Sequence, residues 1–455
     1  MRVRALGLAA LLLAGGAASL GAPARAGDWP MFGFDPSRRN AAPAGTGITA
    51  ANVTRLRRRT VRLDGTVDSS PIYLHGVAIG GRRRDAIFVT TTYGRTEAID
   101  AATGRVLWRY TPPSYAALAG TYRITNMTPV ADPDRSAIYT GAPDGRIRKL
   151  RIADGRLLWS RSITRDPTHE KLTSSLAFTR GLVVATTGGY IGDAPPYQGH
   201  VVSLRPRTGG IVHVWNSLCS DRRALIEPSS CPSSDSAIWA RSGAVVDPAT
   251  GNLLVATGNG PWNGRTDWGD SVLVLSPDAG RLVGHWTPPN QAELERTDAD
   301  LGSTAPALLD GGFLVQGGKD GELRLISRRL ETVQTVPTPG GTDLFTAPAV
   351  WRGTWVFVAS GSGTEAWRLR GGRLVKAWSN DRDGTSPVVA GGLLYVQGSG
   401  AIRVYLPASG RLVAELPCGE VHWQSPIVAD GRVIAVEGNA NEHRTDGVLD
   451  LYTAA

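Results

Sequence analysis

One pattern of short strands recurs eight times along this chain, and the last copy is one strand short. Each copy opens on Ser/Thr-x-Pro or a variant of it and passes through an apolar strand and a Gly-rich turn. Two further strands follow, and the last of the four typically ends in Trp. The clearest copy reads Ser69-Ser70-Pro71-Ile72, then AIFVTT over 86–91, then Ala98-Ile99-Asp100-Ala101-Ala102-Thr103-Gly104, then Arg105-Val106-Leu107-Trp108. Later copies start near Met127, Thr173, Ser242, Ser303, Thr346, Thr385 and Ser425. Units of about 40–60 residues with four strand-like runs have the period of propeller blades, not of helical solenoids. No long stretch repeats apolar residues every three to four positions, and 56 Gly and 29 Pro interrupt a chain that is still 42% hydrophobic.

The eighth copy stops at Leu449-Asp450-Leu451-Tyr452 without a fourth strand, while residues 53–63 (VTRLRRRTVRL) form a surplus strand ahead of the first copy. Placed as the outer strand of the last blade, that segment closes the ring and removes the exposed edges that invite aggregation. The expected fold is therefore all-β: a single eight-bladed β-propeller over residues 27–455. The first strand of each blade would line the central channel. The polar starts Ser69, Asn126, Thr173, Ser242, Ser303, Thr346, Thr385 and Ser425 would then form a hydroxyl-rich ring around one mouth.

Residues 1–26 read as a signal peptide. Arg2 and Arg4 precede an uncharged apolar stretch, and Ala24-Arg25-Ala26 makes a small-x-small cleavage site. Export to the periplasm or the extracellular space follows, with no transmembrane segment. Of the three cysteines, Cys219 and Cys231 bracket a polar loop and should pair, contributing about 3 kcal/mol in the chain-entropy model. Cys418 is left over. The net charge of +9 comes almost entirely from Arg, since only Lys149, Lys171, Lys319 and Lys376 are lysines. The clusters Arg57-Arg58-Arg59 and Arg82-Arg83-Arg84 read as solvated strand and loop positions. No nucleic-acid motif accompanies them.

The string from Ala98 to Trp108 resembles the tryptophan-docking repeat of the pyrroloquinoline quinone (PQQ)-dependent dehydrogenases, and Trp159, Trp215, Trp286 and Trp378 stand at the same place in weaker copies. The opening Asp28-Trp29-Pro30-Met31-Phe32-Gly33 is similar to the start of those enzymes. The resemblance covers nearly the whole of residues 27–455. It implies PQQ and Ca²⁺ in the channel mouth, an alcohol or polyol substrate and an external electron acceptor. Non-catalytic propellers such as the outer-membrane assembly lipoprotein share the repeat. A binding or assembly scaffold without the cofactor is thus the alternative.

Site residues carry over motif by motif. Ala256-Thr257-Gly258-Asn259-Gly260 resembles the segment whose Asn is a Ca²⁺ ligand, here Asn259. Asp298-Ala299-Asp300-Leu301-Gly302 is similar to the stretch whose carboxylate is base and metal ligand, here Asp300. Gln316-Gly317-Gly318-Lys319 looks like the stretch whose Lys contacts the quinone carbonyls. The resemblance thus implies proton abstraction by Asp300 and oxyanion stabilisation by Lys319. Arg123 is the expected carboxylate clamp, with Thr173, Trp239 and Arg241 as further cofactor contacts. Three departures stand out. The third-blade stretch 187–193 offers only Asp193 in place of the family's Glu metal ligand, and the vicinal Cys-Cys pair is absent. Trp239 lies upstream of the expected place of the Trp that supports the ring, where Arg241 stands. No Cys-x-x-Cys-His occurs, so no covalently bound haem is expected.

Overall fold

The computed structural model describes residues 27–43 and 45–454; the leader expected at 1–26 lies outside them. The repeats form eight four-stranded antiparallel sheets. In the first seven, strand order follows chain order, as in Ile72–Ile79, Arg82–Thr90, Thr96–Asp100 and Val106–Tyr110. Burial falls from the middle of a blade outward. In the sixth blade Trp355–Ser360 is buried at every position, whereas the outer strand Arg373–Asn380 is mostly exposed or half-buried. Strands covered on both faces read as continuous apolar runs, and outer strands carry the arginines.

The eighth blade closes the ring as its missing strand requires. Arg57–Leu63 pairs antiparallel with Gly447–Thr453, from Arg57 opposite Thr453 to Leu63 opposite Gly447. Inside it lie Arg432–Glu437 and Ile427–Ala429. The strand begins later than residues 53–63 suggest, because Val53–Arg55 winds into a turn of 3₁₀-helix. The first Arg cluster lies on this strand, where Arg58 pairs with Asp450 at 2.7 Å and Glu437 at 2.8 Å.

Neighbouring blades are joined by tryptophans that dock on glycine turns. Trp108, Trp159 and Trp378 donate their indole N–H to the carbonyls of Ile152, Pro206 and Pro407 at 2.7, 2.9 and 2.8 Å. Each ring covers a glycine with positive φ in the next blade. A Cβ on Gly155, Gly209 or Gly410 would fall 2.5–2.6 Å from the ring, so the left-handed turn and the close approach both require glycine. In the closing strand Val61 takes the tryptophan's place against Gly104. The docking does not extend to every copy. Trp286 donates to the Thr332 hydroxyl, and the Trp215 ring lies under Arg223 with its N–H unpartnered.

The N-terminal segment ties the inner strands together. Its bonds include Trp29 N–H to Tyr73 O at 2.8 Å, Ala131 N–H to Pro30 O at 2.9 Å and Val246 N–H to Pro36 O at 2.9 Å. Val350 N–H to Arg39 O at 2.7 Å, Val389 N–H to Asn40 O at 2.8 Å and Gly431 N–H to Thr46 O at 2.6 Å continue the series. Buried Arg38 adds the third blade through the Leu176 carbonyl at 2.7 Å. Seven of the eight blades are thus bridged by one extended stretch. The expected hydroxyl ring is met in part: all eight polar starts are buried, and Asn126, Thr173, Thr346 and Thr385 line cavities. Several bond backbone carbonyls, as Ser303 does with Leu344 and Ser425 with Ser386. Innermost-strand carbonyls have no partner strand on the channel side, and these short side chains supply one. Cys219 and Cys231 are bonded, and Cys418 is free and buried.

Replacing a docked tryptophan should destabilise the ring as loss of a packed aromatic does. Trp108→Ala is expected to lower the unfolding free energy by about 3–5 kcal/mol in urea denaturation. Trp262→Ala, at a ring 43% exposed, should stay within about 0.5 kcal/mol of the parent.

Candidate functional site

A cavity of about 440 Å³ opens in the central channel, lined by residues upstream of the inner strands, such as Lys171 and Trp239, and by others that follow second strands, such as Asp193, Asn259 and Lys319. Of the residues expected from sequence, Thr173, Asp193, Trp239, Arg241, Asn259, Asp300 and Lys319 line it. Arg123 is a correction, for it is not in the lining. Its guanidinium donates to the Pro143 carbonyl at 3.0 Å, the oxygen that the Tyr190 hydroxyl also reaches.

Asp300 sits at the start of a 3₁₀ turn, Leu301–Ser303, and is 4% exposed. Its Oδ1 accepts the Asn259 N–H at 2.8 Å, and its Oδ2 lies 2.5 Å from Lys319 Nζ. Gly258 makes this approach possible: a Cβ there would fall 2.1 Å from Asp300 Oδ1. Buried Asp270 fixes the turn by accepting the Leu301 N–H at 3.0 Å, and desolvation lifts its carboxyl to about 8. Lys319 also donates to Asp298 Oδ1 and the Asp298 carbonyl, each at 3.0 Å. Burial lifts the Asp300 carboxyl above the ordinary aspartate range even against the Lys319 charge. Burial also works against the Lys319 ammonium, but the Asp300 carboxylate beside it holds the proton more firmly than usual.

Aromatic rings form one wall. Phe345 and Trp423 stack with centroids 5.6 Å apart, and Trp239 stands 6.0 and 6.2 Å from them. Arg241 lies over the Trp423 face at 4.2 Å, and Lys319 Nζ is 5.9 Å from the Trp239 centroid. Behind Trp423, His422 stacks at 3.8 Å and bonds Asp68 at 2.6 Å. The sequence reading missed Phe345, Trp423 and Lys171. Its available signal was position, since all three lie within two residues of a blade start, at Thr346, Ser425 and Thr173. Lys171 carried a second signal as one of four lysines.

The lining suits a planar anionic ring system, with aromatic faces beside cationic groups. It does not suit Ca²⁺, which takes six to eight oxygen ligands. Asp193, Asp298 and Asp300 do not converge: among the described residues the only trio of His, Cys, Asp or Glu ligand atoms within 4.8 Å of one another is His75, Asp85 and Asp430. Asp193 instead accepts the Tyr197 hydroxyl at 3.0 Å. Both Asp300 oxygens are engaged, one of them by an ammonium. A divalent cation beside that ammonium would meet repulsion on the order of several kcal/mol.

Comparison with known proteins finds likenesses to the same group. The family model described as outer membrane protein assembly factor BamB matches residues 50–224. Quinohemoprotein alcohol dehydrogenase ADH IIB of Pseudomonas putida is 26% identical over 330 residues, 66% of this chain and 46% of that protein. The chain spans less than half the length of the curated relatives it matches. The quinohemoprotein alcohol dehydrogenase of Comamonas testosteroni superposes with a TM-score of 0.72 at 17% identity, over 95% of this chain and 81% of that one. A europium-containing methanol dehydrogenase gives 0.70 at 16% identity, over 94% and 98%. At such identity the superpositions speak for the fold. With the repeat, the ring closure and the likeness in sequence, the chain is an eight-bladed propeller that resembles those of the PQQ-dependent alcohol dehydrogenases.

Proposed function

We propose that this propeller binds PQQ in its central cavity and oxidises an alcohol, passing electrons to an external acceptor outside the cytoplasm. The observation that carries the reading is the convergence of Trp239, Asp300 and Lys319 on one cavity from separate stretches of the chain. The kinship with quinone-dependent alcohol dehydrogenases supports it. When bound, an ortho-quinone supplies the two-electron acceptor for the hydrogen of the alcohol carbon. Trp239 offers it a flat face, and Thr173 and Arg241 offer polar contacts. Asp300 Oδ1 is committed to the Asn259 N–H, so Oδ2, paired with Lys319 in the resting site, is the atom that takes the alcohol proton and in doing so releases a Lys319 N–H. Lys319 then donates to an oxygen gaining negative charge, with Asp298 keeping the ammonium in place. The Asp298 carbonyl and the Asp298 and Asp300 carboxylates orient that side chain before any ligand arrives.

The match of residues 50–224 to an assembly-factor model favours a second reading, a scaffold that binds partners and no cofactor. Adding PQQ to the purified chain separates the two. Tight binding with dye-linked alcohol oxidation is expected, and a chain that binds no PQQ is the scaffold. Asp300→Asn should keep PQQ binding and lower kcat by about 10²–10⁴-fold, the usual weight of a general base.

Acidity gives an independent check. A carboxyl raised by burial loses its charge at higher pH than an exposed one, so the rate should fall as pH drops. The midpoint of that fall should lie above the ordinary aspartate value of about 3.9. A rate that stays flat down to that value removes Asp300 as the base.

A further inference from the structure

Two positive side chains remain once the contacts among Asp298, Lys319 and Asp300 are counted. Lys171 is 7% exposed and Arg241 5%, and both line the cavity. Among the described residues neither the Lys171 ammonium nor the Arg241 guanidinium has a hydrogen bond or an ion pair. Arg241 rests on the Trp423 face alone. The carboxylate whose charge both feel, Asp68, is spent on His422 at 2.6 Å, on Asn126 at 3.0 Å and on the Ala440 N–H at 3.1 Å. Unpaired buried cations are costly, and side chains of this kind persist where a ligand of opposite charge completes them.

The placement of Lys171 is built into the backbone. Glu170–Lys171 forms a two-residue ladder with Gly188–Gly189, and Lys171 stands opposite Gly188. That ladder leads into residues 187–193, the stretch where the resemblance calls for a carboxylate metal ligand. There Tyr190 enters the lining, with its hydroxyl held by the Pro143 and Pro167 carbonyls at 3.3 and 3.1 Å. This wall of the cavity sets the Lys171 ammonium near Asp193, the one carboxylate the stretch contributes, so the local charge is not that of a metal-binding site.

We propose that the cavity binds its quinone without a divalent cation, with the ammonium of Lys171 and the guanidinium of Arg241 holding the ligand's carboxylates. This rests on the quinone reading above and extends it to the chemistry of recognition. Arg241 presents a planar fork suited to a carboxylate. Lys171 supplies a compact charge on the opposite side of Thr173 in sequence from the third blade's inner strand. Lys319 remains bound to Asp300 and is not free to take this role. Burial, reinforced by the nearby Arg241 charge, pushes the free Lys171 amine down to about 7, and an arriving carboxylate reverses that cost.

The test is a titration of PQQ into the full chain, followed by calorimetry and tryptophan fluorescence, in excess EDTA and in millimolar Ca²⁺. Equal affinity in the two buffers is expected. Lys171→Met should weaken binding about tenfold or more, the weight of one charge-assisted hydrogen bond, and Lys171→Arg should recover most of it. The Met variant should also unfold at a temperature no lower than the parent at neutral pH, because it removes an unpaired buried charge. That advantage should shrink as pH rises from about 7 toward the unfolded-chain value of about 10.4, since the folded parent sheds its proton first. Binding that appears only with Ca²⁺ overturns the metal-free proposal and leaves the quinone reading standing. Unchanged affinity in a folded Lys171→Met variant overturns the role of Lys171. Absence of PQQ binding in both buffers defeats the quinone reading itself.

Discussion

Everything in this molecule depends on one strand pairing between the two ends of the ring. Arg57–Leu63 lies against Gly447–Thr453 over seven paired positions. Without it the eighth blade would present a raw edge, and the first blade would lose Val61 from the slot over Gly104. The contact is non-local in the extreme, and its loop-closure cost is met only when the intervening blades are in place. Docked tryptophans then pass each blade's position to the next. The N-terminal stretch bonded to the inner strands of most blades acts as a second belt inside the first.

That rigidity sets the character of the cavity. Its lining comes from residues such as Lys171, Trp239, Asp300, Phe345 and Trp423, which are distant in sequence and sit at or near blade starts. Each is placed by the sheet that follows it and not by its immediate neighbours. A blade start leaves the inner strand's ladder free on one side, so its side chains can face the channel while its backbone stays bonded. Ser303 and Ser425 are used to satisfy neighbouring carbonyls, which leaves the residues just upstream to meet a ligand.

This division explains what was legible in the sequence. Strand number, blade count and the closing segment followed from periodicity, because a missing strand and a surplus strand admit few arrangements. Asn259, Asp300 and Lys319 were legible because their motifs place them on turns that a propeller brings to the channel, and they do meet there. Arg123 was misplaced for a local reason: its guanidinium is turned to the Pro143 carbonyl, an acceptor it shares with the Tyr190 hydroxyl. Phe345 and Trp423 could not be recognised as one wall, since no local pattern joins residues that stack only after two blades have formed between them. Lys171 had the rarity of its type to recommend it, the same signal that singled out Lys319.

The charge of the cavity follows from these placements taken together. Asp300 alone, among the carboxylates that line it, is deeply buried, and its Oδ2 pairs with Lys319. The stretch 187–193 brings a tyrosine in place of a second buried carboxylate, and the strand paired with it brings an ammonium. Each substitution alone would weaken a cation site; side by side in one ladder they shift the local field in the same direction. Aromatic faces beside two cations without ion-pair partners select a flat anion through stacking and Coulomb attraction at once. The scaffold's contribution is to hold those charges apart from the carboxylates that would neutralise them. Asp68 shows how it does so: it is close enough for Arg241 to feel, yet its oxygens are engaged by His422, Asn126 and the Ala440 N–H, leaving the cavity-facing cations to the ligand.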